Sequence, residues 1–430
     1  MSTYDLIGIG FGPSNLGLAV ALFDDQKALV ANKKIAFLES KKKQSWHHPM
    51  MVPNSKMQIS FMKDLCFLRN PRSHFTFVNY LKLQGRLQQF ANIRDFNPSR
   101  KEFDDYLQWV ASHFSSIVKY SRHVDYILPV QHNGVVEYLE IGIKNTMTGE
   151  KEILNAQSLA LAIGGEANMP IPSEHEQVFH SSTFLDRIAD YPEDKKHRFL
   201  VVGSGQSAAE IYKYLIETYK KSEVWVACSG IGFKQADDSE YVNDIFDSSL
   251  IDTIFNLEAD KKQILLEKYV STNYSVADLD IIQDVYRAEY EQSIGSGEAR
   301  HGIKRFQKLQ SVNKGDNCLR ITLRSTLTDE ISFLNADAVI CATGYSRKNN
   351  CKLLKHIEPY MIIKGKPTLT RRYALETTAK FKPSIFIQGM SENSHGISDT
   401  LLSVISTRAS EISDEFIQQH SNTFPLANMA

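Results

Sequence analysis

Two short apolar runs, each followed by a glycine-rich turn and a helix-like apolar segment, stand out in the hydrophobic pattern of the chain. In DLIGIGFGPSN, residues 4–7 predict a buried strand, and SNLGLAVALF from Ser14 onward predicts an apolar helix. In FLVVGSGQSAAE, residues 199–202 form an unbroken apolar strand before the turn, and Ala208 occupies the close-packing position. The pattern therefore predicts two strand–turn–helix units, separated by the length of a domain.

A unit of this shape is suited to hold the pyrophosphate of a dinucleotide. Backbone N–H groups and the positive end of the helix dipole point towards the phosphates, and glycine permits a close approach and a positive φ. The first turn has Pro13 in place of the third glycine of the usual fingerprint, and the next strand, KKIAFLES, ends at Glu39. An acid there suits an adenosine ribose, although it lies beyond the usual ~20 residues. One such loop also fits an ordinary strand–helix turn, but two loops together predict electron transfer between two nucleotides.

Further patterns define the predicted domains. The apolar strand ADAVI (336–340) runs into CATGY, and SLALAIGGEANMPIP ends in a second glycine turn, so these segments are expected where the chain passes between domains. Between residues 237 and 296, stretches such as LEADKKQILLEKYV show helical spacing. The predicted fold is α/β, with two Rossmann-like dinucleotide-binding domains, the second inserted in the first, and a helical insertion. The expected bounds are 1–175 and 335–430 for the first domain, 190–236 and 298–334 for the second, and 237–297 for the helical insertion.

Composition and charge set limits on this picture. A chain of 430 residues, 42% hydrophobic and 23% charged, is long enough for two or three globular domains. Its formal net charge of −1 gives no electrostatic reason to expect nucleic acid or an anionic membrane as a partner. No stretch approaches the ~18 apolar residues of a membrane span, and MST leads straight into the first strand. We therefore expect a soluble, cytoplasmic protein.

The five cysteines are an odd number without CxxC or other metal-ligand spacing. We expect reduced thiols of a cytosolic protein and no metal site. The missing CxxC also disfavours a dithiol reductase of the thioredoxin-reductase type. The cysteines are Cys66, Cys228, Cys318, Cys341 and Cys351.

Longer segments carry a resemblance to a known family, and they occur in order over nearly the whole chain. They are GFGPSN (10–15), SWHHPMMVPNSKMQISFMKDL (45–65), LRNPRSHFTFVNYL (68–81), GSGQSAAE (203–210), DDSEYVNDIF (237–246), TNYSV (272–276), CATGY (341–345) and HGISDTLLSV (395–404). KMQISFMKDL and DDSEYVNDIF are the most specific. On these segments the chain resembles the flavin-dependent N-hydroxylating monooxygenases of siderophore biosynthesis, the L-ornithine and L-lysine N-monooxygenase family.

The resemblance implies one active site that uses FAD, NADPH and dioxygen. NADPH would reduce FAD in the first domain, the reduced flavin would form a C4a-hydroperoxide, and its distal oxygen would pass to the terminal primary amine of a small substrate. Family members keep the oxidised nicotinamide nucleotide bound in the second domain, where it helps to keep water from the flavin. As partners we expect the amine, dioxygen and further copies of the chain in a homo-oligomer, either a dimer or a tetramer.

The resemblance also places four residues at the substrate. Asn243 would lie beside the amine, Lys63 and Asn273 would hold the far end, and Leu401 would contribute mainly through its backbone. A neutral amide suits the amine because hydroxylation needs an unprotonated lone pair, whereas a carboxylate would favour the ammonium form. Without the resemblance, the two asparagines also fit turn or cap amides and Lys63 fits a surface lysine.

The cofactor contacts follow from the same resemblance. FAD would be held by Gly8, Gly10, Gly12, Pro13, Ser14, Glu39, Trp46, His47, Met57, Gln58, Thr343, Gly344 and Thr400. NADPH would be held by Gly203, Gly205, Gln206, Ser207, Lys234 and Tyr345. Some of these residues have structural alternatives: Trp46 and His47 fit an aromatic pair under a loop, Met57 a core residue, and Gln58 a surface residue.

The preference for NADPH over NADH depends on the segment that follows the second strand of the NADPH domain. NADPH-specific members often carry an arginine after the second strand of the NADPH domain, where this chain has VACSGIGFKQADDS with Ser229 at that place. Lys234 could pair with the 2′-phosphate as a point charge, without the planar fork of an arginine. We therefore predict use of NADPH with more tolerance of NADH than is usual in the family.

The sequence leaves several alternatives open. LRNPRSHFTFVNYL and FNPSRKEFDDYLQWV resemble the ornithine-using branch, yet an ornithine-like amino acid and a decarboxylated amine such as putrescine, cadaverine or histamine rank almost equally, with lysine third. Other classes are a Baeyer–Villiger or sulfur-oxygenating flavin monooxygenase, an NADPH-dependent flavin reductase and a non-catalytic nucleotide sensor. Against the Baeyer–Villiger class, an FxGxxxHxxxW-like linker is missing, and VFHSSTF around His180 only partly matches it.

Overall fold

The structure, a computed structural model, describes residues 3–295, 297–347 and 352–421. Its strands are β1 (Tyr4–Ile9), β2 (Ile35–Leu38), β3 (Val118–Lys119), β4 (Arg122–His132), β5 (Val135–Asn145), β6 (Lys151–Leu161), β7 (Glu166–Ala167), β8 (Val178–His180), β9 (Arg198–Val202), β10 (Glu223–Ala227), β11 (His301–Lys304), β12 (Gln307–Lys314), β13 (Leu319–Ser325), β14 (Ile331–Ala336), β15 (Ala338–Cys341), β16 (Tyr345–Ser346) and β17 (Ser384–Ile387). Its α-helices are α1 (Pro13–Val20), α2 (Lys27–Val30), α3 (Phe77–Leu83), α4 (Leu87–Ile93), α5 (Arg100–Ser112), α6 (Phe184–Ile188), α7 (Gln206–Thr218), α8 (Glu240–Asn243), α9 (Leu250–Phe255), α10 (Ala259–Tyr269), α11 (Leu279–Ile294), α12 (Glu392–His395) and α13 (Ile405–Ser421).

The first sheet is built around the N-terminal strand. β1 pairs in parallel with β2 on one side and β6 on the other, β3 extends the sheet beyond β2, and β17 pairs in parallel with the far side of β6. The antiparallel strands β4 and β5 attach to the N-terminal half of β6. All four residues of β2 are buried, as expected for a parallel strand that is covered on both faces.

The second sheet is parallel throughout, in the order β11-β10-β9-β15-β8. A separate antiparallel sheet, β12-β13-β14, packs against it through a shared apolar cluster. Members of this cluster include Leu200 and Val202 from β9 and Ile321 and Leu323 from β13. The two sheets therefore form one layered domain around β9, the strand that precedes the second glycine turn.

The expected boundary at residue 335 is wrong for one strand. We expected the chain from 335 onward to belong to the first domain, but Ala338 pairs with Phe199 of β9, and Val339 pairs with Val178 of β8. All four residues of β15 are buried, as expected for an inner strand of a parallel sheet that is covered on both faces. β8 lies between the two expected ranges and also joins the second sheet. An apolar run shows that a strand is buried but does not show in which sheet it lies.

The two passages between the domains lie side by side. β7 and β16 form a short antiparallel ribbon in which Ala167 pairs with Tyr345 and Glu166 with Ser346. The two glycine-containing segments that sequence analysis placed at the crossings thus meet in the structure.

The segment 237–297 contains α8 to α11, as its helical spacing predicted. α11 packs on α7, where Val285 is buried in the same cluster as Tyr212 and Leu215. α9 instead contacts α12, and Ile254 packs with Ile397. The insertion therefore connects the second domain to the C-terminal part of the first.

Among the described residues, no helix is long and apolar enough to cross a membrane. No group of three or more His, Cys, Asp or Glu side chains in these residues could hold a metal ion. Four cysteines are free thiols, and Cys351 lies outside the described residues.

Candidate active site

The first glycine turn has the shape of a phosphate cradle. Gly10 has φ = +81°, and a Cβ atom there would lie 2.4 Å from the carbonyl oxygen of Ala162, so a larger residue would not fit. A Cβ atom on Gly12 would meet no atom within 4 Å, because this residue faces open space at the start of α1. Pro13 takes the first helical position, which suits proline. This open end of α1 fits the pyrophosphate of FAD.

Gly8 has a different reason to be glycine. It lies inside β1, and a Cβ atom there would lie 2.2 Å from the ring of Phe37. Packing against a neighbouring strand explains Gly8 without a cofactor, so its contact with FAD stays a prediction.

Glu39 is buried at the end of β2 and organises the loop around it. Its Oε2 accepts a hydrogen bond from Phe11 N at 2.8 Å, and its Oε1 accepts one from Lys41 N at 2.9 Å. The carboxylate thus joins the first glycine turn to the segment after β2. A ribose hydroxyl would have to use the remaining lone pairs, and this role of Glu39 stays a prediction.

Asn15 within GFGPSN has a structural role that the motif does not predict. Its Nδ2 donates to the carbonyl oxygen of Gly10 at 2.7 Å and to that of Ala160 at 3.0 Å, and its Oδ1 accepts from Gln388 Nε2 at 2.8 Å. One buried amide thereby fixes the turn against β6 and the residue after β17. Asn15 is part of the GFGPSN motif, but two of the residues that it contacts, Ala160 and Gln388, lie far away in the sequence.

The predicted flavin-side residues lie in the segment after β2. Trp46 packs edge-on against Phe103, with ring centroids 5.9 Å apart, and its backbone N–H donates to Asp104. His47 is exposed, in the left-handed region with φ = 50°, and its ring lies 6.5 Å from that of Tyr345. Met57 is buried. These positions fit both a flavin wall and the structural alternatives, so the four FAD contacts at residues 46, 47, 57 and 58 stay predictions.

The second glycine turn packs directly against the CATGY segment. Gly203 has φ = +139°, and a Cβ atom there would lie 2.3 Å from the carbonyl oxygen of Ala342. Gly205 caps the N-terminus of α7 in an extended conformation, and Gln206 and Ser207 form its first turn. The open end of this helix fits the pyrophosphate of NADPH.

Thr343 and Gly344 follow β15, so they lie beside the second turn as well as at the domain crossing. Thr343 Oγ1 donates to the carbonyl oxygen of Asn168 at 2.5 Å, and the carbonyl oxygen of Gly344 lies 2.9 Å from His180 Nε2. The ring of Tyr345 packs edge-on against His180 at 5.2 Å. The contact of Thr343 and Gly344 with FAD, which the resemblance implies, stays a prediction.

A hydrogen-bonded network that no sequence motif predicts links the two domains and the insertion. Arg100 of α5 makes two bonds of 2.6 Å to Glu210 of α7, and both side chains are largely buried. Gln206 donates to Glu210 at 2.9 Å and to Asp278 Oδ2 at 3.0 Å, and Gln58 donates to Asp278 Oδ1 at 3.0 Å. Gln58 and Gln206, predicted to contact different cofactors, thus share one carboxylate.

The segments that carry or adjoin the predicted substrate residues contact the C-terminal segment 392–404. The turn Asp244–Phe246, next to Asn243, contacts the turn Ile397–Thr400, and the turn Phe61–Lys63 contacts the turn Leu402–Val404. The residue after Asn273, Tyr274, donates to Glu392 Oε2 at 2.9 Å and lies 3.0 Å from Thr400 Oγ1. Segments far apart in sequence therefore meet at one place.

Two of these side chains have an orientation that suits binding. Asn243 Nδ2 donates to the carbonyl oxygen of Asp238 at 2.8 Å, which leaves Oδ1 to accept from a ligand. Lys63 is half-buried, and within the described ranges its ammonium forms no ion pair with a carboxylate. The site thus offers an acceptor and a cation on different elements.

Asp64 fixes the turn that carries Lys63. Its Oδ1 accepts from Cys66 N at 2.8 Å and Phe67 N at 2.6 Å, and its Oδ2 accepts from Phe77 N at 2.7 Å. Burial raises the pKa of Asp64 to about 6, although these three donors favour the ionised form. At neutral pH the carboxylate is charged and holds the turn against α3.

His395 is buried under Tyr373, with ring centroids 4.1 Å apart. Burial lowers the pKa of His395 to about 4, so its ring is neutral near pH 7. Its ring also packs against Phe255, and its Nε2 lies 3.1 Å from the carbonyl oxygen of Arg371.

Two Rossmann-like sheets, an open helix N-terminus after a glycine turn on each, and an insertion that meets the C-terminal segment fit an oxidoreductase that binds two dinucleotides in separate domains. The chain matches, over residues 2–347, the family described as L-lysine 6-monooxygenase/L-ornithine 5-monooxygenase. It belongs to this family.

Relatives and solved structures agree with this assignment. An L-ornithine N(5)-monooxygenase from Pseudomonas aeruginosa is 38% identical over 421 residues, covering 96% of this chain and 94% of the relative. The structure of the ornithine hydroxylase PvdA from Pseudomonas aeruginosa has a TM-score of 0.91 at 37% identity, covering 97% of this chain and 100% of that one. The Kutzneria ornithine N-hydroxylase KtzI, with reduced FAD, NADP+ and L-ornithine, has a TM-score of 0.91 at 33% identity, with coverages of 97% and 100%.

These comparisons confirm the predicted family, the two-domain α/β fold and the enzyme class. The protein is a flavin-dependent N-hydroxylating monooxygenase that uses FAD and NADPH.

Proposed function

We propose that the protein hydroxylates the terminal amine of an ornithine-like amino acid in the biosynthesis of a hydroxamate siderophore. The L-ornithine N(5)-monooxygenase from Pseudomonas aeruginosa, similar over 96% of this chain, is the observation that carries the proposal. Lys63, without an ion pair in the described part of the chain, supports it because an amino acid presents a carboxylate and a diamine does not.

The bound flavin supplies the oxidising chemistry, and the protein provides a neutral amine in the right place. An alkylammonium with a pKa near 10.4 must lose its proton, which costs about 4–5 kcal/mol at pH 7. The amide oxygen of Asn243 accepts a hydrogen bond from the neutral amine without the preference of a carboxylate for the ammonium. Lys63 and Asn273 bind the far end of the substrate, and the segment 397–404 closes the site around it.

An amine panel tests the proposal. Purified protein with FAD is given NADPH and one of ornithine, lysine, putrescine, cadaverine or histamine, and hydroxylamine product is measured per NADPH oxidised. We expect the highest kcat/KM and the best coupling with ornithine. A higher kcat/KM with a decarboxylated amine would reassign the substrate, and the absence of product from every amine would contradict N-hydroxylation.

The variant Lys63→Ala sharpens the same experiment. Loss of a charge-assisted bond to the carboxylate should raise the KM for ornithine by roughly 10- to 100-fold, with little change in the KM for putrescine. Lys56→Ala is a matched control in the same segment, because the Lys56 ammonium pairs with Asp95 at 2.7 Å. Equal effects of Lys63→Ala on both amines would assign Lys63 to the flavin or to the fold.

A further inference from the structure

NADPH differs from NADH by a phosphate on the adenosine ribose, and this chain lacks the arginine expected to bind it. In a Rossmann-like domain the ribose lies beyond the carboxyl end of the strand that follows the phosphate-binding helix. Here that strand is β10, and it continues into Cys228, Ser229 and Gly230. Ser229 stands at the expected position of the arginine.

The neighbouring strand brings a cation to the same edge of the sheet. β11 runs parallel to β10 with Lys304 opposite Ala227, so both strands end together. Arg305 is the next residue after β11. Phe306 N donates to the carbonyl oxygen of Gly230 at 2.9 Å, which puts the backbone of Arg305 beside the segment 228–230.

Further contacts hold this arrangement in place. Gln307 N donates to the carbonyl oxygen of Cys228 at 2.7 Å, and Thr326 Oγ1 donates to that of Ser229 at 3.0 Å. Phe306 adopts the left-handed region with φ = 55°, which allows a tight turn between β11 and β12. The segment after β10 is therefore fastened to the turn that carries Arg305.

The charge of Arg305 is available at this edge. The side chain is exposed and forms no ion pair within residues 3–295, 297–347 and 352–421. Burial raises the pKa of the Cys228 thiol, and the nearby guanidinium of Arg305 opposes this shift. The same guanidinium favours ionised Glu289, whose carboxylate accepts a hydrogen bond from Tyr212. The effect on Cys228, the first residue after β10, places the positive charge near the end of that strand.

We propose that Arg305, together with Lys234, binds the 2′-phosphate of NADPH and so determines the preference for this nucleotide. The resemblance leads us to expect an arginine after the second strand; in its place, this chain has an arginine that follows the next strand in the sheet. A planar guanidinium can bond two phosphate oxygens at once, which the Lys234 ammonium cannot do with the same geometry. The proposal depends on the use of NADPH and is independent of which amine is hydroxylated.

Binding of two nucleotide fragments tests this site without catalysis. Titration calorimetry of the FAD-loaded protein compares 2′,5′-ADP, which carries the 2′-phosphate, with 5′-AMP, which lacks it. Arg305→Ala should weaken binding of 2′,5′-ADP by about 10- to 100-fold and leave 5′-AMP unchanged. Arg305→Lys should recover part of the affinity. In steady state, kcat/KM for NADPH should fall by a similar factor while that for NADH stays constant.

The matched control is Arg324→Ala, which removes an exposed arginine from β13 in the same domain. Arg324 pairs with Asp329 at 3.0 Å, so its loss changes the net charge equally without touching the edge of β10. Equal weakening of both fragments by Arg305→Ala, or equal effects of Arg305→Ala and Arg324→Ala, would overturn the proposal. So would a full loss in Lys234→Ala with no loss in Arg305→Ala.

Discussion

At the scale of single residues, the Asn243 amide is oriented before any substrate arrives. Its Nδ2 is bonded to the backbone of Asp238, so the amide presents its oxygen instead of its nitrogen. An N–H of a neutral amine can donate to that oxygen and keep its lone pair for the reaction. The sequence supplied the residue type through DDSEYVNDIF, and the structure supplied the direction of the amide.

We expect Asn243→Ala to separate flavin reduction from hydroxylation. NADPH oxidation should continue and release hydrogen peroxide, while hydroxylated product falls by roughly 10²-fold because the amine is no longer oriented. Product is measured by a hydroxylamine assay and peroxide by a coupled peroxidase assay. Asn256→Ala, an exposed amide in the same insertion, should behave as wild type. Normal coupling in Asn243→Ala would exclude this role.

At the scale of elements, α13 and α1 are joined by a buried charge beside the FAD cradle. Arg408 of α13 is 1% exposed, donates to Asp399 Oδ1 at 2.9 Å and donates to Ser14 Oγ at 3.0 Å. A buried ion pair contributes little to stability compared with an apolar contact of the same size, so a positioning role explains it better. Because Ser14 Oγ accepts from Arg408, its own proton can be donated towards the pyrophosphate.

We expect Ser14→Ala to weaken FAD binding by about 10- to 100-fold, the value of one hydrogen bond to a charged group. Arg408→Met should cause a similar loss, and the double variant should lose little more, because both changes remove one coupled interaction. FAD dissociation constants come from flavin fluorescence, and thermal unfolding of the apoprotein reports on stability. Arg372→Met, an exposed arginine near Glu415, is the control. Additive losses would show that Arg408 does not act through Ser14.

At the scale of the whole molecule, hydride transfer requires the two nucleotide domains to keep a fixed relative position. The network of Arg100, Glu210, Gln206, Asp278 and Gln58 crosses from the first domain to the second and to the insertion. Its central carboxylate, Asp278, is held from both sides. A displacement of about 1 Å between donor and acceptor can slow a reaction by roughly 10²-fold.

We therefore expect Asp278→Ala to slow the reduction of FAD at saturating NADPH by about 10-fold, measured anaerobically by stopped-flow absorbance. FAD affinity should change little, because the network does not include the first glycine turn and reaches FAD only through the predicted contact of Gln58. Asp280→Ala is a control for the loss of a carboxylate in the first turn of α11. An unchanged reduction rate in Asp278→Ala would show that other contacts align the domains.

Local features of the chain could be predicted because they depend on neighbouring residues. The two glycine turns, the apolar strands before them and the helical spacing of 237–297 follow from backbone sterics and from side-chain periodicity. The structure agrees at Gly10 and Gly203, whose positive φ and contact with a carbonyl oxygen require glycine. The family segments added the identity of the cofactors.

Other features were decided only by tertiary structure, because they depend on which distant segments meet. The position of β15 in the second sheet, the sharing of Asp278 by Gln58 and Gln206, and the approach of Arg305 to Ser229 all arise from pairing between elements far apart in the chain. An apolar run shows that a strand is buried. It does not show which strand pairs with it, since many strands offer equivalent apolar surfaces. The sequence by itself determined two nucleotide-binding units and their chemistry. The fold determined how these units are aligned and which cation lies beside the segment after β10.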